Sequence, residues 1–217
     1  MTEVTGPIVN ETILTYSDWA VLTRRSYDHT EEEELTWQVG PMDGGKEVVV
    51  VLDTGADNSK LFTDANGRQM MERNYTQNLP EPVAGNYFPV TSRLELRSDS
   101  GVVSVVSDRS QGGSSQQPGE MELMVHRRCL SDDGWGVGEA LQEEAYGKGL
   151  VARGQHFLSS KSLARSRGLQ QEKVLSPQLS FLDTSLTLQA WSQLNLAPYS
   201  GPGLKKPLPD SIQVICQ

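Results

Sequence analysis

The chain has 217 residues, of which 36% are hydrophobic and 22% charged, and it carries a formal net charge of −9. That size and mixture fit a folded chain able to bury a core and exclude wholesale disorder. The acidic balance lacks the basic footprint that displaces counterions from phosphates, so no nucleic-acid partner is expected.

Read in chain order, the pattern is one of period-two segments. Strands are predicted over Ile8 to Val21, Glu34 to Val39 and Lys46 to Leu52. Further strands are predicted over Arg93 to Arg97, Val102 to Asp108, Glu120 to Arg127, Leu150 to Phe157, Gln178 to Leu182 and Ser211 to Ile215. The run Val48 to Val51 lacks alternation, which predicts an interior strand covered on both sides. Gly40-Pro41, Asp43-Gly44-Gly45, Asn66-Gly67 and Asp133-Gly134 mark turns. Asp64 to Gly67 suits a tight turn in which both Asn66 and Gly67 are expected at positive φ. One helix is predicted, from about Lys161 to Lys173, with Gly168 weakening it. The Pro- and Gly-rich stretch from Leu194 to Pro209 reads as an irregular wrap, and the acidic run Glu31 to Glu34 as a solvated loop end. Many short strands with frequent turns predict an all-β protein, a large antiparallel β-sandwich.

No run approaches the roughly 18 apolar residues of a membrane span, and no membrane partner is expected. Met1 to Thr5 shows neither a basic nor an apolar leader region. The two cysteines, Cys129 and Cys216, have no metal-ligand spacing and read as free or buried thiols. Asn10-Glu11-Thr12 and Asn74-Tyr75-Thr76 are sequons, making Asn10 and Asn74 glycosylation candidates in a secreted protein.

Between Pro82 and Leu141 the chain reads PVAGNYFPVTSRLEL, SDRSQGGSS and GEMELMVHRRCLSDDGWGVGEAL. In order and spacing these motifs resemble the C-terminal β domain of class II α-mannosidases, glycoside hydrolase family 38, most closely its lysosomal acid branch. There the stretches read much like PVAGNYYPV, DRSQGG, and ELM followed by HRR and DDGRGVGE. Looser matches extend outward: LTWQVGPM before this run, and LSPQ (Leu175 to Gln178) and LPDSI (Leu208 to Ile212) after it. The resemblance implies a supersandwich similar to galactose-mutarotase-like domains, with residues 1–217 forming one C-terminal β-sandwich domain. It also implies a lysosomal location, with secretion as the alternative. An aliphatic residue is usual where Cys129 stands, which suits a packing role.

The residues themselves offer little chemistry. A retaining glycosidase needs two carboxyl groups about 5–5.5 Å apart. The resembled enzymes place these, and a zinc ion held by two histidines and two aspartates, in an N-terminal α/β domain that this segment does not match. His29, His126 and His156 stand apart without HxD or HxxxH spacing, so no metal and no catalytic residue is assigned to this segment. Ser114 and Ser115 lack a histidine partner, and Gln111 to Ser114 lacks the lysine of a phosphate loop. Asp108-Arg109 and Arg127-Arg128 read as structural clasps.

The turn Asp132-Asp133-Gly134-Trp135 keeps two readings. Its acids cap backbone N–H groups or act as ligands. Trp135, standing where the resembled family usually has Arg, packs a domain interface or rims the sugar pocket of the catalytic domain. By resemblance, the complete enzyme removes terminal α-linked mannose from N-glycan-derived oligosaccharides with zinc. This segment would then scaffold its own catalytic α/β domain, wall the pocket and bind no cofactor. The alternative is a free-standing, non-catalytic sandwich that binds carbohydrate or protein.

Overall fold

A computed structural model describes residues 1–56, 58–160, 162–174, 181, 185–194, 209 and 212. It divides into two compact units, Met1–Val174 and Leu175–Gln217. In the first unit the strands are β1 (Thr2–Thr5), β2 (Val9–Ser17), β3 (Ala20–Tyr27), β4 (Glu33–Val39) and β5 (Lys46–Asp53). They continue with β6 (Lys60–Ala65), β7 (Gln69–Arg73), β8 (Phe88–Val90), β9 (Arg93–Ser98) and β10 (Gly101–Ser107). The last are β11 (Gln111–Ser114), β12 (Glu120–Arg128), the short pair β13 (Glu144–Ala145) and β14 (Lys148–Gly149), and β15 (Ala152–Ser159). A helix, α1 (Leu163–Val174), follows, and the second unit contributes α2 (Leu188–Ser192).

Nine strands form one antiparallel sheet in the order β1-β2-β3-β4-β15-β10-β9-β6-β7, and four form a second in the order β5-β12-β11-β8. The sheets face each other across two apolar clusters. Leu94, Leu96 and Val105 meet Met121 and Leu123 in one; Trp37 and Val39 meet Val125, Val48 and Val50 in the other. The large antiparallel sandwich expected from the sequence is the observed fold.

Several motifs turn out to hold this sandwich shut. A Cβ on Gly113 would lie 2.6 Å from Leu94 and 2.7 Å from Val90, so only glycine lets the sheets close there. The next residue, Ser114, donates to the Asn86 carbonyl at 2.7 Å. The buried Asn86 side chain accepts from Thr76 N–H and donates to the Thr76 and Pro82 carbonyls, pinning the loop before β8. Asp64, at the end of β6, accepts from the N–H groups of Thr91, Ser92 and Arg93 and from the Ser92 hydroxyl. It thereby ties the β6–β7 hairpin to the β8–β9 corner. That hairpin turns at Asn66 (φ 54°) and Gly67 (φ 74°), as its sequence predicts.

The outer face of the large sheet carries buried charge. Glu95 is fully buried between Arg93 (3.1 Å) and Arg97 (2.6 Å) and accepts from Ser166 of α1 at 2.9 Å. Gln170 donates to Ser92 at 2.5 Å, and Leu169 packs on Val106 and Phe157. This seats α1 as a third layer, close to the predicted helix despite Gly168.

Four expectations are corrected. The segment Ile8 to Val21 is not one strand but the β2–β3 hairpin, which turns at Asp18-Trp19 with no glycine to mark it. Among the described residues Val48 to Val51 belongs to an edge strand: β5 pairs there only with β12, and Val51 is 47% exposed. The acidic run is anchored rather than loosely solvated, with Glu32 on Arg165, Glu33 on Arg24 and Glu34 on Arg25. Strands β1, β6, β7, β8, β11 and the short pair β13 and β14 are absent from the predicted set. The predicted strands Gln178 to Leu182 and Ser211 to Ile215 and most of the Leu194 to Pro209 wrap lie outside the described residues.

Between the sheets, the fully buried His156 bonds Gln111 Oε1 through Nε2 at 2.8 Å, while Gln111 Nε2 donates to the Met124 carbonyl at 2.9 Å. That order makes His156 the Nε2–H tautomer, and its buried Nδ1 has no partner. Burial pushes the imidazole from 6.5 down to about 4, Arg109 adding to the depression and Asp108 opposing it.

Two predictions follow from these buried groups. Glu95→Ala leaves Arg93 and Arg97 without their shared carboxylate and should cost about 3–5 kcal/mol in urea unfolding; a loss below about 1 kcal/mol would show that the cluster does not hold the layer. For His156, the unfolded imidazole takes up a proton below 6.5 that the folded one refuses until about 4. Stability is therefore full above 6.5 and falls on acidification, by about 2 kcal/mol between about pH 7 and pH 5. His156→Gln should flatten that part of the stability–pH curve; an unchanged slope would assign it to other groups.

Candidate functional site

The candidate site is a set of loops at one end of the sandwich, where β4 and β12 leave their sheets and β15 enters. Arg128, at the end of β12, is the brace. Its Nη1 donates to the Met42 carbonyl at 2.6 Å and its Nη2 to Glu144 at 2.9 Å, joining residues 40–45 to the β13–β14 hairpin. Glycines let these loops close on one another. A Cβ on Gly40 would meet the Leu150 carbonyl at 2.3 Å, one on Gly44 would meet Leu130 at 2.1 Å, and one on Gly149 the Arg128 guanidinium at 2.7 Å. The Cys129 N–H donates to the Leu141 carbonyl at 2.9 Å and closes the neck of the 129–141 loop.

On that loop, Asp132 Oδ2 accepts from Gly134 N–H at 2.9 Å and Asp133 Oδ1 from Trp135 N–H at 3.0 Å. These are consecutive Asx turns, and Gly134 supplies the positive φ of 77° they require. Of the two readings of the acids, the structure displays the backbone-capping one. Trp135 projects into solvent, 91% exposed, with Leu130 and Val137 of the same loop also exposed, as is Tyr146 on the β13–β14 hairpin. A groove of about 420 Å³ lies at the foot of the turn, lined by Arg127, Cys129, Asp132, Asp133, Trp135 and Leu141. The Cys129 thiol is free and half-buried; Cys216 lies outside the described residues.

The clasps take the positions their chemistry suggests. Arg109 forks onto Asp108 (2.9 Å twice) and donates to the Arg153 carbonyl at 2.6 Å, with Trp37 beneath the guanidinium. Asp108 also accepts from Gln155 N–H, so β10 is tied to β15. Burial opposes ionisation of Asp108, yet the Arg109 bonds and charge hold its carboxyl below the ordinary range. Arg127 pairs with Glu47 at 2.7 Å. His126 is shifted down by burial and by the charge of Arg128. Asn10 on β2 and Asn74 after β7 are both exposed.

A zinc site does not fit here. Among the described residues no three His, Cys, Asp or Glu side chains gather closely enough to hold a metal ion. No described helix is long and apolar enough to cross a membrane. What the arrangement offers is a braced loop presenting an indole and aliphatic side chains beside acids already committed to backbone N–H groups. Sequence reading found the Asp-Asp-Gly-Trp turn but missed Arg128 as the brace between residues 40–45 and the β13–β14 hairpin, and Tyr146 on that hairpin.

Comparison with known proteins agrees with the motifs. Residues 1–134 match the description "Glycosyl hydrolases family 38 C-terminal domain". The chain belongs to that family. It is 41% identical to the lysosomal alpha-mannosidase of Felis catus over 98% of this chain and 22% of that protein. It is 40% identical to that of Homo sapiens (81% and 19%) and 35% identical to the alpha-mannosidase of Canavalia ensiformis (99% and 24%). The chain thus spans about a fifth to a quarter of the length of these relatives.

An exposed apolar loop should report itself in solution. The 217-residue chain should bind a hydrophobic dye, and Trp135→Ala with Val137→Ser should remove most of that signal without moving the thermal midpoint, since neither side chain packs into the core. A dye-silent parent chain would show that this end is not an exposed apolar surface.

Proposed function

We propose that this chain, residues 1–217 together, is the C-terminal β portion of a lysosomal-type α-mannosidase. The complete polypeptide is a retaining glycoside hydrolase that removes terminal α-linked mannose from N-glycan-derived oligosaccharides in the lysosome. Its two carboxyl groups and its zinc ion belong to a catalytic α/β domain outside this chain, which here supplies neither. The observation that carries the reading is an alignment over nearly the whole chain with one segment of much longer α-mannosidases. The braced apolar loop end supports it from the structural side, because such a surface suits a covered neighbour better than water.

In this reading the loop end docks against the catalytic domain, and the Asp132-Asp133-Gly134-Trp135 turn reaches the rim of the mannose pocket. The two acids set the loop's shape through Gly134 and Trp135 N–H groups. Trp135 offers a flat apolar face to a sugar ring where the resembled enzymes carry a guanidinium; stacking replaces forked hydrogen bonds. Asn10 and Asn74 are exposed, so each sequon is open to glycan attachment in the secretory pathway.

The chain alone should give no turnover of an aryl α-mannoside at acid pH, with or without added zinc; activity that follows it through purification would overturn the assignment of chemistry elsewhere. In the longer enzyme, Trp135→Ala should raise KM about three- to tenfold, the equivalent of one aromatic stacking contact, with kcat and the thermal midpoint little changed. Unchanged kinetics with a stability loss of about 3–5 kcal/mol would instead make Trp135 an interface anchor.

A further inference from the structure

Among the described residues, the four-stranded sheet has an unguarded edge. Of the four edge strands of the two larger sheets, β1 has four residues, β7 has five and ends in Glu72-Arg73, and β8 has three with Pro89 at its centre. Short length, charge and proline are the usual devices that stop a sheet edge from pairing. The fourth, β5, has eight residues, KEVVVVLD, with four consecutive valines and neither proline nor charge among them. Its partner on one side is β12. Thr54 N–H donates to the Gly119 carbonyl at 2.9 Å, and Asp53 stands opposite Glu120. Ladder alternation from that point turns the N–H and C=O groups of Asp53, Val51 and Val49 away from β12.

Side chains point the same way. Val48 and Val50 pack inward against Trp37 and Val125. Val49 stands on the other face opposite Met124, and Val51 opposite Glu122, with Val51 47% exposed. Beyond the edge lies a groove of about 260 Å³ between β5 and the β2–β3 hairpin, lined by Tyr16, Val21 and the valines. A strand apolar on both faces suits a sheet covered on both sides, and a long edge strand without charge or proline in its middle is the kind that accepts a further strand.

We propose that the free edge of β5 receives a fifth strand, an extended segment rich in apolar and β-branched residues contributed by another part of the same longer polypeptide. The groove takes that segment's inward side chains, while its backbone satisfies the outward groups of Val49, Val51 and Asp53. This rests on the reading of the chain as one part of a longer α-mannosidase, whose relatives are more than four times the length of their match to it. Most of that polypeptide is therefore available to supply the strand.

Hydrogen exchange tests it. In the 217-residue chain at low micromolar concentration, the amides of Val49, Val51 and Asp53 should exchange rapidly, while those of Val50 and Leu52, bonded to β12, are slow. In the longer polypeptide the first three should become at least ~100-fold slower. Equal rates in both proteins would overturn the proposal, and so would protection in the short chain that rises with concentration, since a second copy would then occupy the edge. Val51→Lys should lower the thermal midpoint of the longer polypeptide but not that of the short chain; no difference between the two would likewise count against it. Aryl α-mannosidase activity of the same longer preparation reports on the enzymatic reading separately, because it does not depend on which segment covers β5.

Discussion

The sandwich depends on one close approach. At Gly113 the small sheet comes so near the large one that Leu94 and Val90 occupy the space a Cβ would need. Everything around that point is arranged to make the approach stable. Ser114 bonds the Asn86 carbonyl, Asn86 fixes the loop that leads into β8, and Asp64 gathers four donors of the β8–β9 corner. The motifs GN and QGGS, which the sequence offered without a chemical role, are thus explained by backbone geometry and buried polar satisfaction.

A second consequence concerns charge. Both the outer layer and the inter-sheet space hold groups whose burial is tolerable only with their partners present. Glu95 lies between two guanidiniums and a hydroxyl, so α1 is positioned by polar bonds as well as by Leu169. Its fairly polar sequence, with Ser166 and Gln170 buried, follows from that role. His156 is the opposite case: neutral, bonded at one nitrogen and bare at the other, it favours the folded state only while it stays unprotonated. In an acid compartment that histidine opposes folding, which puts more weight on the ion-paired layers and on any covering domain.

How much of this was legible in the sequence varied with physical cause. Strands with clean alternation, such as β12 with Met121, Leu123 and Val125 inward, were readable, as was the Asn66-Gly67 hairpin. Strand β11 was not, because its Gly112 and Gly113 resemble turn residues when they are in fact spacers. Strand β6 hides its alternation behind buried Thr63 and Asp64, and β8 is three residues around a proline. The β2–β3 turn lacks glycine, so two strands read as one. At the site, the Asp-Asp-Gly sequence announced its own turn, whereas Arg128 reaches Met42 across 86 residues, a contact that no local pattern encodes.

The mismatch at Val48 to Val51 carries a different kind of information. Elsewhere, where sequence pattern and structure disagree, the cause lies within the chain: a glycine spacer, a buried acid or a missing turn signal. For β5 the described residues show no such cause: its valines pack normally on β12 and the core, and the surplus lies at the edge and outer face. A pattern suited to burial at a position that is only half buried describes a larger sheet than the four strands present. The exposed indole and aliphatic residues of the Arg128-braced loops have the same character. The β5 backbone is laddered to β12, and the 129–141 loop is closed at its neck and shaped by two Asx turns, so a covering surface would meet partly ordered chain. Such surfaces suit the proposed place of this chain within a longer polypeptide.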